Sequence, residues 1–580
     1  MRAALLVLLA PEVAGQYCTQ PDLVDPTPPR VVRGGVGGSD SDPPFSIVWN
    51  MPTAPCALCP NASDHVEPER FGVTVNKNES EYGDEIVCLY EFGLPPRLKA
   101  SNLSAWPTPL EDITVVQNGG VPQAPSFNMS LHLATLAKDI ERRIPDPDFA
   151  GLALVDKEGW SPLFCGNWVS GGSRYYNIYS EALVQTAHPS WNATRVRATA
   201  AEQWDAASKD FYLQSIQAAR RLRPKARWGY FATPTAPPGA RGSAEHKAGV
   251  KALNARLGWL FSAVDFLAPL IYVTQRPEQR SPSQNLTAWA AAAVGNAISV
   301  ADEVAAAGGK RPAVLSYGSI VYRDLSPAPP PSVPQPFMED RVGLAATVQV
   351  PAALGAEGVI LWGSGSDTNI CHPNAGCLQP ICERCGVLAA FMDGSSHGGG
   401  GSGGAGEVMA SCVSERAACS RKRCRGHGRC VDADLALIDT VCMREATTGG
   451  KCRCDEGWSG HDCSQQQEVH TLVGVTNGPP IHTPTLAQMD ACEYSNGLSP
   501  RCHLTQTIAA IRRGEPDRGR HVDPAGTSRL YTEAGVGRPT APRQAQRRRL
   551  QGIPRRPDHR IHDTVTRGTW HHRLADRGTI

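Results

Sequence analysis

The chain has 580 residues, enough for two or three domains and a sizeable core. Its net charge of +1 provides no global field for nucleic acid or an acidic partner, and no stretch reaches the about 18 apolar residues of a membrane-spanning helix. Nineteen cysteines, several closely spaced, point to an oxidising compartment, and so do the N-x-S/T glycosylation acceptors at Asn61, Asn78, Asn102, Asn128, Asn192 and Asn285.

Residues 1–14, a basic start followed by the apolar run Ala3 to Ala10, have the pattern of a signal peptide cleaved near Ala14-Gly15. The next unit, 15–392, alternates short apolar runs with longer helical patterns from about residue 40 onward. Strands are predicted at Phe45–Trp49, Ile86–Tyr90, Leu152–Val155, Trp228–Ala232, Leu270–Val273, Val314–Tyr317 and Val359–Trp362. Amphipathic helices are predicted at Ala201–Leu222 and Leu286–Ala307. Seven or eight strand–helix units argue for an α/β fold with a parallel sheet closed as a (β/α) TIM-like barrel.

One run carries chemistry. Leu152-Ala153-Leu154-Val155 reads as a buried parallel strand, and Asp156 and Glu158 sit at its C-terminal end. Side chains alternate along a strand, so the two carboxylates share one face and Lys157 takes the other. In a barrel, strand C-termini are where active sites form.

A Gly/Ser-rich linker is expected over 393–411. A cysteine-rich module follows over 412–466, with Cys419, Cys424, Cys430, Cys452, Cys454 and Cys463. The cluster lacks paired Cys-x-x-Cys knuckles, so a metal site is not expected and no cofactor is called for. An insertion from Val431 to Lys451 adds Cys442, for which Cys412 is the candidate partner. Residues 467–580 form a low-complexity basic tail, with Arg547-Arg548-Arg549 and Arg555-Arg556-Pro557, expected to be disordered. That polar end argues against a lipid-anchor signal.

Several segments, in order, resemble the hyaluronidases of animals and venoms. Phe45-Ser46-Ile47-Val48-Trp49-Asn50-Met51-Pro52-Thr53 with Cys56 is similar to that family's first barrel strand. Asn118-Gly119-Gly120-Val121-Pro122-Gln123 is similar to a signature loop, and Asp156-x-Glu158-x-Trp160-x-Pro162-Leu163 with Asn167-Trp168 resembles the catalytic segment. Trp228-Gly229-Tyr230, Leu257-Gly258-Trp259-Leu260, Ile271-Tyr272 and Gly358-Val359-Ile360-Leu361-Trp362-Gly363 follow in family order. The step Cys452-x-Cys454, with Gly457-Trp458 and Gly460 before Cys463, resembles an EGF-like module.

The resemblance implies a distorted barrel with an open groove, and a secreted or lysosomal endo-glycosidase. The implied reaction is hydrolysis of β-1,4 bonds after N-acetylglucosamine in hyaluronan or chondroitin, with retention and with no cofactor. It implies Glu158 as general acid and Asp156 as partner of the substrate's acetamido group, which itself serves as nucleophile. Tyr272 and Trp362 would hold the acetamido sugar, with Phe231 and Tyr317 lining the groove. Implied disulfides are Cys419–Cys430, Cys424–Cys452 and Cys454–Cys463, with Cys56 joined to Cys377 or Cys371.

Four positions depart from the family pattern. Lys157 stands where the family has tryptophan, Ser161 where it has arginine, and Phe231 where it has tyrosine. The loop Thr233 to Pro238 lacks an expected cysteine. Both acids remain, so hydrolase is the first expectation. A weak or inactive glycosaminoglycan-binding relative is the alternative.

Overall fold

The strands arise where the apolar pattern puts them. A computed structural model of the chain describes residues 44–467, except 91, 102–107, 170–172, 236–243, 274–284, 324–335, 339–340, 364–377, 396–403 and 433–450. The signal segment, Asn102, Cys371, Cys377, Cys442 and the tail lie outside the described residues.

The barrel strands are β1 (Ser46–Asn50), β2 (Thr74–Val75), β3 (Ile86–Leu89), β6 (Leu152–Val155), β7 (Arg227–Tyr230), β8 (Phe266–Leu267), β9 (Ala313–Gly318) and β10 (Gly358–Trp362). Between β3 and β6, β4 (Arg97–Ala100) and β5 (Ile113–Gln117) form a separate antiparallel pair. Parallel ladders run β2-β1-β10-β9-β8 and β3-β6-β7, and a parallel bridge from Phe231 to Ala268 joins the two. The ring opens beside β2 and β3. There the buried Asn76 side chain donates to Ile86 O at 2.9 Å and accepts from the Glu85 and Ile86 amides. That side chain supplies part of the pairing a ladder would have made.

Alternation sorts the core into two layers. Val48, Ile86, Cys88, Leu152, Leu154, Phe266, Leu315, Tyr317 and Ile360 fill the barrel interior. Ile47, Trp49, Val87, Leu89, Ala153, Val155, Trp228, Val314 and Val359 pack outward in the larger core. Position 229 faces inward by alternation and is glycine, with the Phe266 ring occupying the space a Cβ would need, at 2.5 Å. The helix Ala193–Leu222 is longer than predicted, and Leu286–Ala306 is nearly as predicted. The strand expected at Leu270–Val273 begins earlier, at Phe266, and is interrupted where Pro269 lacks an N–H. Leu270 still bridges to Tyr317 of β9.

The signature loop is structural. Asn118, Gly119 and Gly120 all have positive φ (41°, 77° and 82°), and the Asn118 side chain joins Leu94 O to the Asn128 backbone. Cβ atoms at the two glycines would strike the Phe127 amide and the Leu98 side chain. Asn128, Asn192 and Asn285, three of the glycosylation acceptors, are exposed helix N-caps whose side-chain oxygens accept backbone N–H groups. Asn61 and Asn78 are also exposed.

The predicted Cys56–Cys377 bridge is corrected. Cys56 bonds to Cys385, and Cys59 to Cys382. Cys56 lies within one 3-10 turn (Ala54–Leu58) and Cys59 caps it, and Cys382 and Cys385 lie three apart on the helix Leu378–Asp393. Equal spacing on two facing helical turns allows two side-by-side bridges. The EGF-like pairings match the expectation: Cys419–Cys430, Cys424–Cys452 and Cys454–Cys463. Cys165 and Cys412 are disulfide-bonded as well.

The linker is shorter than expected, because residues from Ala405 onward already form the helix Ala405–Arg423. The cysteine-rich module packs against the end of the barrel where the strands begin. Glu357, just before β10, accepts from Arg311 at 2.8 Å and from the Val314 amide at 2.6 Å. Arg429 of the module lies 3.6 Å from the same carboxylate and 2.6 Å from Asp455.

Candidate active site

Inward-facing positions at the strand C-termini gather one set of groups. They are Tyr90 after β3, Asp156 after β6, Phe231 after β7, Tyr272 beyond β8, Tyr317 on β9 and Trp362 on β10. Tyr317 is fully buried, Tyr90, Asp156, Phe231, Tyr272 and Trp362 are half-buried, and Glu158 is exposed. The rim thus grades from a closed floor to a carboxylate in solvent.

The rings form a continuous wall. Phe231 meets Tyr317 edge-on at 5.0 Å between centroids, Tyr317 is 6.0 Å from Tyr272, and Tyr272 stacks on Trp362 at 6.2 Å. The Trp362 indole N–H donates to the Tyr90 hydroxyl at 2.7 Å.

Both acids lie just past the end of β6. Asp156 and Glu158 both act electrostatically on Tyr272, and Asp156 also acts on Cys88 and Tyr317. Burial, and then the neighbouring Glu158 charge, push the Asp156 carboxyl up to about 8. One Asp156 oxygen has no hydrogen-bond partner, so nothing there offsets the loss of solvent. A third carboxylate, Glu81, acts on Cys88 and Tyr90 at the same rim.

Lys157 points away from the acids, as alternation predicts. Its ammonium donates to Trp160 O at 3.1 Å and lies 3.2 Å from the Trp160 ring centroid, with Tyr212 at 5.0 Å and Phe211 at 5.9 Å. Burial lowers this amine well below its ordinary value, and the ring faces offset part of that penalty. The lysine thereby fastens the turn that carries Glu158.

The rest of that turn is held by backbone hydrogen bonds. Asn167 accepts from the Ser161 amide at 2.7 Å, Asp205 accepts from the Phe164 amide at 2.7 Å, and the Trp204 indole donates to Ser161 O at 3.2 Å. Ser161 also accepts from the Leu163 amide at 3.3 Å, so it is a turn residue. Trp160 is anchored in the core, donating to Pro96 O at 2.9 Å.

Three residues here had no role in the sequence reading. Arg323 is a buried cation over Trp362, Tyr90 caps the Trp362 indole, and Asn50 is fully buried with neither side-chain polar atom bonded. Asn50 was detectable as an amide within an apolar strand. Nothing in the pattern around Arg323 marks it.

A parallel barrel with two carboxylates and an aromatic wall at its strand C-termini defines a glycoside-hydrolase type of site. The hyaluronidase family model matches residues 39–392, and the chain belongs to that family. Human hyaluronidase-1 is 30% identical over 73% of this chain and 92% of its own length. The hyaluronidase of Apis mellifera is 31% identical over 58% of this chain and 80% of its own. A crystal structure of bee venom hyaluronidase with a hyaluronic acid tetramer is 28% identical, with a TM-score of 0.47, over 58% of this chain and 94% of that one. The protein is therefore a glycoside hydrolase of hyaluronidase type. Among the described residues, no helix is long and apolar enough to cross a membrane, and no cluster of potential metal ligands occurs.

Proposed function

We propose that the protein is a secreted or lysosomal endo-glycosidase that cleaves the β-1,4 N-acetylglucosaminide bonds of hyaluronan, and of chondroitin, with retention. The carrying observation is that Asp156 and Glu158, at the end of β6, both act on Tyr272, which stacks on Trp362.

Asp156 and Glu158 both follow the C-terminal end of one strand, β6, and so approach a sugar from the same side. A two-carboxylate double displacement needs its nucleophile on the opposite face. The substrate's own acetamido oxygen fits that role better than Asp156. In the free protein, burial and the Glu158 charge favour a protonated Asp156 at neutral pH. When the acetamido oxygen attacks C1, positive charge develops on the resulting oxazolinium ring. That charge favours anionic Asp156 and shifts the proton to Glu158. As the ring forms, the glycosidic C1–O bond breaks and Glu158 donates its proton to the leaving oxygen; Glu158 then removes a proton from the water that opens the ring. Tyr272 donates a hydrogen bond to the sugar, Trp362 covers its apolar face, and Phe231 and Tyr317 line the floor.

Digestion of hyaluronan and chondroitin, followed by chain length and new reducing ends, tests the reading. Cleavage is expected to decline above about pH 8, where Asp156 loses its proton. An unsaturated product would show a lyase and overturn the mechanism. Binding without cleavage at any pH would favour the glycan-binding alternative. Glu81→Gln is expected to retain activity; its inactivation, with a glycosyl adduct on Glu81 in the wild type, would replace substrate assistance by double displacement.

A further inference from the structure

Trp362 is held from two sides, and only one of them is neutral. Its indole N–H reaches Tyr90. Its face carries the Arg323 guanidinium at 4.2 Å, which also lies 5.5 Å from the Tyr272 ring. Arg323 is only 8% exposed and is fixed along its length. The backbone N–H donates to Val273 O at 2.8 Å, Nε to Ser319 Oγ at 3.2 Å, and Nη2 to Trp362 O at 3.2 Å. One residue thus ties together the ends of three barrel strands, two of which carry Tyr272 and Trp362.

We propose that Arg323 is a positioning residue for the reaction: its planar guanidinium sets the plane of the Trp362 indole and the spacing of the Tyr272–Trp362 wall. The consequence for catalysis rests on the reading of that wall as the acetamido-sugar subsite.

The physical case has two parts. An indole at a barrel rim is half-exposed and can rotate about χ1 and χ2. A guanidinium stacked on its face, and bonded to its backbone carbonyl, removes that freedom. The planes of Tyr272 and Trp362 are only 27° apart, an arrangement that a flat cation touching both rings favours. The charge also acts directly on Tyr272. Burial raises that hydroxyl, and the Arg323 cation opposes the rise, making the hydroxyl the stronger donor. Both effects matter most when the acetamido oxygen must align with C1. Losing them therefore lowers kcat more than it raises KM.

The test uses full-length protein labelled with 5-fluorotryptophan, with the Trp362 signal assigned from Trp362→Phe. In Arg323→Gln, the Trp362 19F resonance is expected to shift or broaden while the other tryptophan resonances hold. With hyaluronan, kcat is expected to fall about 10- to 100-fold with KM changed less than about threefold. Arg323→Lys, which keeps the charge and loses the flat stack, should recover only part of kcat. An unmoved Trp362 resonance in both Arg323→Gln and Arg323→Ala would overturn the proposal. So would a kcat loss matched by a general shift of all tryptophan resonances, since that describes a folding defect. If the wild type cleaves no glycosaminoglycan, the activity assignment fails, and the resonance still decides the positioning role.

Discussion

The barrel carries a carboxyl withdrawn from solvent at each end, half-buried at the rim and buried at the base, and the two behave oppositely. At the rim, Asp156 has another carboxylate for a neighbour and is pushed up. At the base, Glu357 is 8% exposed and loses still more solvent, yet Arg429, Arg311 and the Val314 amide hold it below its ordinary value. Burial is common to both, so neighbouring charge decides the outcome. The base uses its carboxylate to dock the cysteine-rich module. At the rim, no described cation offsets the burial of Asp156, which therefore keeps a proton near neutral pH.

The largest expected effect bears on the rim. Glu158→Gln should lower kcat by about 10³- to 10⁴-fold while leaving oligosaccharide affinity within a few-fold, measured by turnover and calorimetry. Wild-type turnover in this variant would remove Glu158 from the chemistry. At the base, Glu357→Ala removes the buried carboxylate shared by Arg311, Arg429 and the Val314 amide, leaving half-buried Arg311 with Asp302 alone, and should destabilise by up to about 3–5 kcal/mol in denaturant titration, with the folded fraction still active. A loss of activity at full stability would mean that the base communicates with the rim.

Asp156→Asn separates the two functions of one residue. Activity should fall by about 10²-fold, while stability rises. The sign follows from linkage: native Asp156 holds its proton up to about 8, and the unfolded chain releases it near 3.8, so stability falls with pH between those values. The amide cannot ionise, so the gain in Tm should be near zero at pH 4 and grow toward pH 8. Glu357 gives the opposite slope: its lowered value stabilises the fold above the ordinary carboxylate range, and this is lost on acidification. A flat Tm difference for Asp156→Asn would show that the carboxyl is not raised.

The smallest effect concerns the paired bridges. Cys59→Ser with Cys382→Ser should cost under about 2 kcal/mol, because Cys56–Cys385 closes nearly the same loop. Removing both bridges should cost about 4–5 kcal/mol, and simple additivity would show that each acts through local packing instead.

Strand positions were legible because a two-residue period sorts side chains with no knowledge of their neighbours. Asp156 and Glu158 inward and Lys157 outward follow from that period alone. The partners of Lys157 did not, since Trp160, Phe211 and Tyr212 reach it partly from a separate helix. Cys385 was missed although Cys56-x-x-Cys59 and Cys382-x-x-Cys385 repeat one spacing, because bridging depends on which helical faces meet.

The sequence by itself determined the alternating strands, the acid pair, the EGF-like cysteine framework and family membership, all carried by short-range spacing. Tertiary structure alone decided the placement of Arg323 over Trp362, the bridging of the gap between β2 and β3 by Asn76 and the seating of the module on Glu357. The physical reason is reach. Periodicity and turn chemistry act over a few residues, whereas a cation's stacking partner or a carboxylate's ionisation depends on groups brought close only when the barrel forms.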